Sequence, residues 1–207
     1  MSITVHILVI VSTLLALVLA GSYVRLLPEL SRHIWTPRAA STIEGSVRMS
    51  RDRNILALSL LPAAILLTWK YKLWCPDFLG ELSPDGAVGI TAAVLVGYLL
   101  LREILDFVLR PRRFSDSWTN SARIPYTFFI LGATLILPSA GILFAFGASD
   151  KAISLIIKIE ISIVYLLMLL RRGQILSQNC ASLTTFLYLC GLELLPTSIL
   201  VVSSMIF

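Results

Sequence analysis

Six long apolar runs, separated by short polar segments, dominate this sequence of 207 residues. A helix of about 20 apolar residues crosses the ~30 Å hydrocarbon core of a bilayer. Only helices and closed barrels satisfy the backbone hydrogen bonds there. The sequence therefore predicts an all-α bundle of six transmembrane helices that forms a single domain over residues 1–207. The predicted spans are approximately residues 3–23, 54–74, 87–109, 124–146, 152–170 and 183–207.

The composition supports a polytopic membrane protein. Hydrophobic residues make up 57% of the chain and charged residues only 14%, with a mean hydropathy of +0.87, whereas soluble domains average ~25% charged residues. In a soluble protein the net charge of +5 would indicate nucleic-acid binding. Here the basic residues lie in short loops between apolar runs, which is typical of membrane orientation. We therefore expect the lipid bilayer, and no nucleic acid, as the partner.

Arginine and lysine divide between the two sides of the predicted bundle. All 13 arginines lie in or beside the loops that follow the first, third and fifth runs, and all four lysines lie on the other side. Because positive loops stay inside, we predict arginine loops in the cytoplasm and both termini on the outer face. Met1–His6 contains no Lys or Arg, which favours a retained first span over a signal peptide. The small residues Ala20–Ser22 leave cleavage as the alternative.

The sixth run carries a single charge, Glu193, which we place about 16 Å from the cytoplasmic end of its helix. A carboxylate at that depth costs at least ~2.5 kcal/mol to insert, so it normally faces other helices or water. Pro196 lacks a backbone donor and is expected to loosen the helix beside the charge. Two interpretations stay open. Glu193, with Tyr188 on the same helix, forms a proton or cation relay or contacts a headgroup; alternatively, it is a structural carboxyl bonded to a neighbouring helix.

Lys158 and Glu160 are the charged residues inside the fifth run. Two residues apart on a helix, they point about 200° away from each other, so each is expected to meet a different helix. A structural ion pair between Lys158 and Glu193 is one expectation. The functional alternative places Glu160 and Glu193 on the wall of a polar cavity.

A charged cluster, Arg102, Glu103 and Asp106, ends the third run on the cytoplasmic side. Arg102 and Asp106 are spaced i,i+4 and share a helix face, and Glu103 and Asp106 are spaced i,i+3. The cluster is interpreted either as a satisfied charge network below the interface or as the lining of a cytoplasmic vestibule. The choice depends on what the neighbouring helices present to it.

Backbone features of three runs predict how helices approach and bend. Gly89, Ala93 and Gly97 are spaced by four and form a small-residue stripe that lets another helix approach closely. Pro62 and Pro138 lie inside the second and fourth runs, and we expect them to bend those helices.

The sequence lacks the motifs that would indicate an enzyme. It contains no HExxH, GxSxG, Walker A or glycine-rich dinucleotide motif. The topology puts its two histidines, His6 and His33, on opposite sides of the membrane, and it separates Cys75 from Cys180 in the same way. Since Cys190 completes no CxxC spacing, a thiolate metal site is also not expected. We therefore expect no catalytic residue, no metal site and no cofactor.

Four stretches carry a resemblance to a known family: Tyr98–Leu109, Phe114–Phe129, Tyr165–Leu176 and Phe186–Pro196. The last is the most specific, with a Tyr-x-Cys-x-x-Glu-x-x-Pro pattern at Tyr188, Cys190, Glu193 and Pro196. The chain resembles a domain-of-unknown-function family of six-span inner-membrane proteins from Bacteroidota. The resemblance implies a bacterial cytoplasmic-membrane location and makes Glu193 a family feature. It brings no reaction and no catalytic residue.

Two hypotheses of function follow. In the first, the chain is a structural or accessory subunit of a cell-envelope assembly, and its partners are other envelope membrane proteins. In the second, it is a small transporter or lipid-handling protein that uses a mid-membrane carboxylate. The first predicts dry packing around Glu193, with the carboxylate satisfied by another span. The second predicts a cavity that connects Glu193 to one membrane face.

Overall fold

The computed structural model describes residues 3–35, 46–74, 76–109, 115–177 and 182–206, and their regular structure is helical throughout. Six segments are long and apolar enough to cross a membrane, so the predicted all-α, six-span, multi-pass architecture is confirmed at that level. Spans 1 to 6 are Ile3–Trp35; Val47–Ser59 with Leu61–Lys70; Pro84–Val108; Ser115–Ala145; Asp150–Ser177; and Ser182–Leu189, a π turn at Cys190–Leu194 and Leu195–Ile206. A short 3-10 helix, Asp77–Glu81, precedes span 3.

Apolar side chains cover the outside of the bundle as well as its interior. Val18 on span 1 and Phe107 on span 3 are 78% and 79% exposed. Soluble monomers rarely expose apolar surface over large contiguous areas. In a membrane, such a surface contacts lipid chains. The exposed apolar side chains are therefore consistent with helices that span a bilayer.

Five small apolar clusters join the spans. Span 4 packs against spans 1 and 2 through one cluster and against span 5 through another. Spans 1, 2 and 3 meet around Val88, which is 1% exposed. Leu176 of span 5 and Leu192 of span 6 pack against Leu105 and Leu109 at the end of span 3. Spans 3, 5 and 6 therefore meet near the end of the bundle at which spans 1, 3 and 5 finish, here called the basic end.

Several helices continue past the apolar runs that predicted them. Span 1 runs on to Trp35, and Leu26 and Leu30, from the predicted polar loop, are fully buried against span 2 and span 4. Span 5 runs on to Ser177 and thereby includes Arg171 and Arg172, which were assigned to a loop. The end of an apolar run shows where contact with lipid ends. The helix itself can continue beyond that point into polar residues, as spans 1 and 5 do. Residues 1–2, 36–45, 75, 110–114, 178–181 and 207 lie outside the described residues, and these include Cys75 and Cys180.

The two prolines that were expected to bend helices behave differently. Span 2 is interrupted at Leu60, and Pro62 lies in the first turn of the helix that follows. A proline fits there because first-turn N–H groups have no partner inside the helix. Pro138 lies inside the uninterrupted helix of span 4.

The small-residue stripe on span 3 faces outward. Gly89, Ala93 and Gly97 are all exposed, and no atom lies within 4 Å of the Cβ position of either glycine. The expected close approach is therefore not made by any other helix in the described part of this chain. Spans 1 and 2 pack instead around Val88, on a neighbouring face of the helix.

Spans 4 and 5 are connected by a tight turn at Gly147, which has φ +73°. The Gly147 N–H donates to the Phe144 carbonyl at 3.0 Å, and the Ala148 N–H donates to the Leu143 carbonyl at 3.0 Å. These two bonds cap the last carbonyls of span 4 in a Schellman motif, which requires a left-handed residue at this position.

Replacing Gly147 with alanine should lower the apparent melting temperature in detergent, because a Cβ at positive φ costs about 1–2 kcal/mol. Gly141→Ala is the matched control, since Gly141 is helical and has no atom within 4 Å of its Cβ position. The control should melt at or slightly above the wild-type temperature. Equal melting of both variants would show that the turn does not hold Gly147 in this conformation.

Candidate functional site

Glu193 lies in a π turn, Cys190–Leu194, that interrupts span 6. The Leu195 N–H donates to the Cys190 carbonyl, five residues back, instead of to the fourth residue back. Pro196 follows directly and has no N–H to donate. The expected loosening of the helix beside the charge is thus present as a π turn. Such turns often occur at functional sites because they redirect side chains.

The Glu193 carboxylate is bound by guanidinium groups from two other spans. Its Oε1 atom accepts from Arg102 of span 3, at 3.2 Å from Nε and 2.9 Å from Nη2. The same oxygen accepts from Nη1 of Arg172, on span 5. The side chain of Glu193 is only 1% exposed. The expectation that this carboxylate faces other helices rather than lipid is confirmed.

Arg172 connects four spans through a single guanidinium group. Besides its bond to Glu193, its Nη2 atom donates to Oδ1 of Asp106 at 2.7 Å, and its Nε atom donates to the Ser121 hydroxyl of span 4 at 3.1 Å. The side chain of Arg172 is 1% exposed. Arg102, Asp106, Arg172 and Glu193, here called the ion network, contain two positive and two negative groups, so their formal charges balance.

Hydroxyl groups continue the polar contacts along span 6. The Tyr165 hydroxyl of span 5 lies 3.1 Å from the Glu193 backbone carbonyl and 3.1 Å from the Thr197 hydroxyl. The Tyr98 hydroxyl of span 3 lies 3.1 Å from the same Thr197 oxygen. Tyr165 thus supplies a donor to a carbonyl in the π turn. The second carboxylate oxygen of Glu193, Oε2, is buried without a hydrogen-bond partner in the described part of the chain.

The ion network lies toward the basic end of the bundle. Asp106 is two residues before the end of span 3, and Arg172 is five residues before the end of span 5. At 1.5 Å per residue these positions are about 3 Å and 8 Å from their helix ends. Glu193 lies 11 residues after the start of span 6 at Ser182, about 16 Å along its own helix, and the two arginine side chains reach it there.

The expected ion pair between Lys158 and Glu193 is wrong. Lys158 is exposed, and it lies 14 residues before Arg172 on span 5, about 21 Å away along the axis. Lys158 is therefore far from the ion network along span 5. The lengths of spans 5 and 6 do not show which of their residues lie at the same height, so the sequence did not exclude the pair. Glu160 is also separate from the network, because its Oε2 atom accepts from the Ser139 hydroxyl of span 4 at 2.9 Å.

The charged cluster of span 3 divides between two helix faces. Arg102 and Asp106 share the buried face, as their i,i+4 spacing indicated, but each pairs with a residue of another span. Glu103 is exposed and accepts a hydrogen bond from the Tyr126 hydroxyl of span 4. Tyr188 packs against the cluster formed by Leu176 and Leu192.

Sequence reasoning missed Arg172, Ser121 and Tyr165 as parts of the site. Arg172 was counted among the loop arginines because the apolar run ends at Leu170. Charge balance was the signal that could have found it. Asp106 and Glu193 were placed at the membrane, but Arg102 was the one cation assigned to a span at the same end of the bundle, and buried charges are normally paired.

Comparison of the chain with protein-family models, with curated proteins and with solved structures gave no match. The resemblance of its second half to a Bacteroidota family therefore stays a prediction.

Among the described residues, no group of three or more His, Cys, Asp or Glu side chains is placed to hold a metal ion. What the arrangement can do chemically follows from its charges: its ion pairs tie spans 3, 5 and 6 together, and the side chains of Arg172 and Glu193 are each only 1% exposed.

Glu193→Gln should destabilise the folded protein strongly. The change leaves Arg102 and Arg172 with one anion between them, and removing one partner of a buried ion pair costs about 3–5 kcal/mol. We expect a large fall in the apparent melting temperature in detergent. Glu160→Gln is the matched control, because its partner is a neutral hydroxyl, and it should cost no more than about 1 kcal/mol.

A double-mutant cycle measures the interaction energy between Arg102 and Glu193 separately from the effect of losing either side chain. Adding Arg102→Gln to Glu193→Gln removes the unpaired cation and should restore part of the lost stability, with a coupling of about 1–3 kcal/mol. Strictly additive losses would mean that Arg102 and Glu193 do not interact in the membrane.

Proposed function

We propose that the chain is a structural or accessory subunit of a cell-envelope assembly in the cytoplasmic membrane of a bacterium. The observation that carries the proposal is the enclosure of Glu193 by other spans. Its side chain is 1% exposed and is bound by guanidinium groups from two other spans. A charge-balanced, enclosed carboxylate fixes the relative positions of helices, which is what a rigid membrane subunit requires.

The alternative, a transporter or lipid-handling protein, needs a cavity that reaches the carboxylate. One cavity among the described residues, of about 350 Å³, lies between spans 1, 2 and 4 and is lined by residues that include Ser12, Lys70 and Phe144. Neither Glu160 nor Glu193 lines it. A transport cycle through Glu193 would also have to break buried bonds to two arginines, which would add several kcal/mol to its barrier. The enclosure of Glu193 by two arginines therefore favours the subunit over the transporter.

The proposal places the arginine loops in the cytoplasm and both termini on the outer face, as the distribution of basic residues indicates. It places a partner's transmembrane helix against the exposed stripe at Gly89, Ala93 and Gly97, which lies on a predicted lipid-facing surface. Small residues at this spacing allow two helix backbones to approach closely. Because Ala93 is exposed, a larger side chain there would disturb that approach without disturbing this chain's own packing.

Affinity capture from the native membrane tests the proposal. The tagged wild-type protein in mild detergent should retain a membrane-protein partner at fixed stoichiometry, measured by mass spectrometry. Ala93→Leu should lower the amount of partner about fivefold or more, because helix contacts at small residues depend on close packing. Ala16→Leu makes the same change at an exposed position on span 1 and should leave the partner bound.

A different pair of results would contradict the proposal. The protein would be recovered alone from its native membrane, and vesicles containing it would show pH-dependent uptake that a folded Glu193→Gln variant has lost. That outcome would assign Glu193 to a transport path.

A further inference from the structure

Arg171 is a buried cation that the ion network does not use. It precedes Arg172 on span 5 and is 7% exposed. Its Nη1 atom donates to the Gln174 side-chain oxygen at 3.0 Å. Its Nε and Nη2 atoms are buried and have no hydrogen-bond partner in the described part of the chain. The guanidinium group is therefore held from one side and unsatisfied on the other.

The two unsatisfied nitrogens of Arg171 form one edge of the guanidinium plane. Nε–H and one N–H of Nη2 point in the same direction from this edge. They can donate two parallel hydrogen bonds to a pair of oxygens on one oxyanion, which is the bidentate geometry that arginine offers to phosphate and carboxylate. The bond to Gln174 leaves this edge unused.

The described chain supplies no carboxylate to Arg171. The acids that lie nearest along the neighbouring helices, Asp106 and Glu193, are bound by Arg172 and Arg102. On span 5 itself Glu160 is 11 residues away, about 16 Å along the helix. A buried guanidinium without a counter-ion carries a desolvation penalty of several kcal/mol. An anion from outside the chain would offset that penalty.

A second unsatisfied polar group lies at the same level. Met168 and Ile175, about one turn either side of Arg171, pack with Ile124 and Phe128 of span 4. Thr127 lies between those two residues of span 4, and its hydroxyl is also buried without a partner. Span 4 and span 5 thus bring an unused hydroxyl and an unused guanidinium edge to one height of the bundle.

The position of Arg171 along span 5 matches the zone of the membrane in which lipid headgroups lie. Span 5 has 28 residues and is about 42 Å long, which exceeds the ~30 Å hydrocarbon core. Arg171 is six residues, or about 9 Å, from its end, so a centred helix places it close to the boundary of the core. Gln174 is exposed and Leu170 is 56% exposed, so Arg171 has membrane-facing neighbours.

We propose that Arg171 binds a phosphate oxyanion at the basic end of the bundle through the unused edge of its guanidinium group. The phosphate belongs to a phospholipid headgroup or is free in solution; the chemistry of recognition is the same. A net anionic lipid fits best, because no carboxylate in the described part of the chain pairs with this guanidinium group. This site is independent of the proposed subunit function, since it uses neither the ion network nor the stripe on span 3.

Lipid-dependent stability of the purified full chain tests the site. Dioleoyl phosphatidylglycerol should raise the melting temperature of the wild type, and dioleoylglycerol, with the same acyl chains and no phosphate, should not. Inorganic phosphate added without lipid distinguishes the two sources: stabilisation by it alone would indicate free phosphate. In native mass spectrometry, one phosphatidylglycerol should remain bound to the wild type.

Substitutions at Arg171 test whether this residue binds the phosphatidylglycerol. Arg171→Gln should bind phosphatidylglycerol about tenfold or more weakly, as expected for the loss of charge-assisted bonds. Without lipid this variant should melt at or above the wild-type temperature, because it removes an uncompensated charge; a purely structural arginine would give the opposite result. Arg32→Gln makes the same charge change at a side chain that is 70% exposed and should leave binding unchanged. Arg171→Lys keeps the charge but lacks the planar edge, so it should bind more weakly than the wild type.

The proposal is overturned if the wild type responds to neither phosphatidylglycerol nor phosphate, or if Arg171→Gln and Arg32→Gln respond alike. Should Arg171→Gln fail to fold, unchanged binding by Arg171→Lys overturns it instead. Loss of a captured protein partner in Arg171→Gln, without any response to phosphate or lipid, would assign the edge to a partner's carboxylate and would also reject the phosphate site.

Discussion

The bond between Arg172 and Glu193 is the interaction on which the arrangement of spans 3, 5 and 6 depends. Neither group can be buried alone, because an unpaired charge in an apolar environment costs several kcal/mol. Each therefore requires the other span at a fixed height, and Asp106 and Arg102 extend the same requirement to span 3. Apolar contacts between helices supply little of this specificity, since lipid chains are as apolar as leucine.

The π turn allows span 6 to meet this requirement. Pro196 removes a backbone donor, and the wider turn before it carries Glu193. The Tyr165 hydroxyl donates to the Glu193 carbonyl, so span 5 also contacts the backbone of the π turn. The local distortion and the ion network are parts of one arrangement: the distortion sets the direction of the carboxylate, and the arginines hold it.

Much of the fold was predictable, because six apolar runs leave a chain few alternatives in a bilayer. The importance of Glu193 was also predictable, since an isolated carboxylate in an apolar helix needs partners. The identity of its partners was not. Helix rise along span 5 puts Lys158 far from the ion network, but the relative heights of spans 5 and 6 come from packing that hydropathy does not encode. Arg172 was missed because an apolar run and a helix need not end at the same residue, and the outward direction of Gly89 and Gly97 depends on which face the neighbouring helices cover.

Solid-state NMR in lipid bilayers measures the central interaction directly. With ¹³C at glutamate carboxyl carbons and ¹⁵N at arginine guanidinium groups, the Glu193 signal is identified by its loss in Glu193→Gln. We expect strong dipolar coupling of this carbon to guanidinium nitrogen and little magnetisation transfer from water. A Glu193 carboxyl carbon without coupling to arginine, and with rapid transfer from water, would show a solvated carboxylate and contradict the account of a dry ion network.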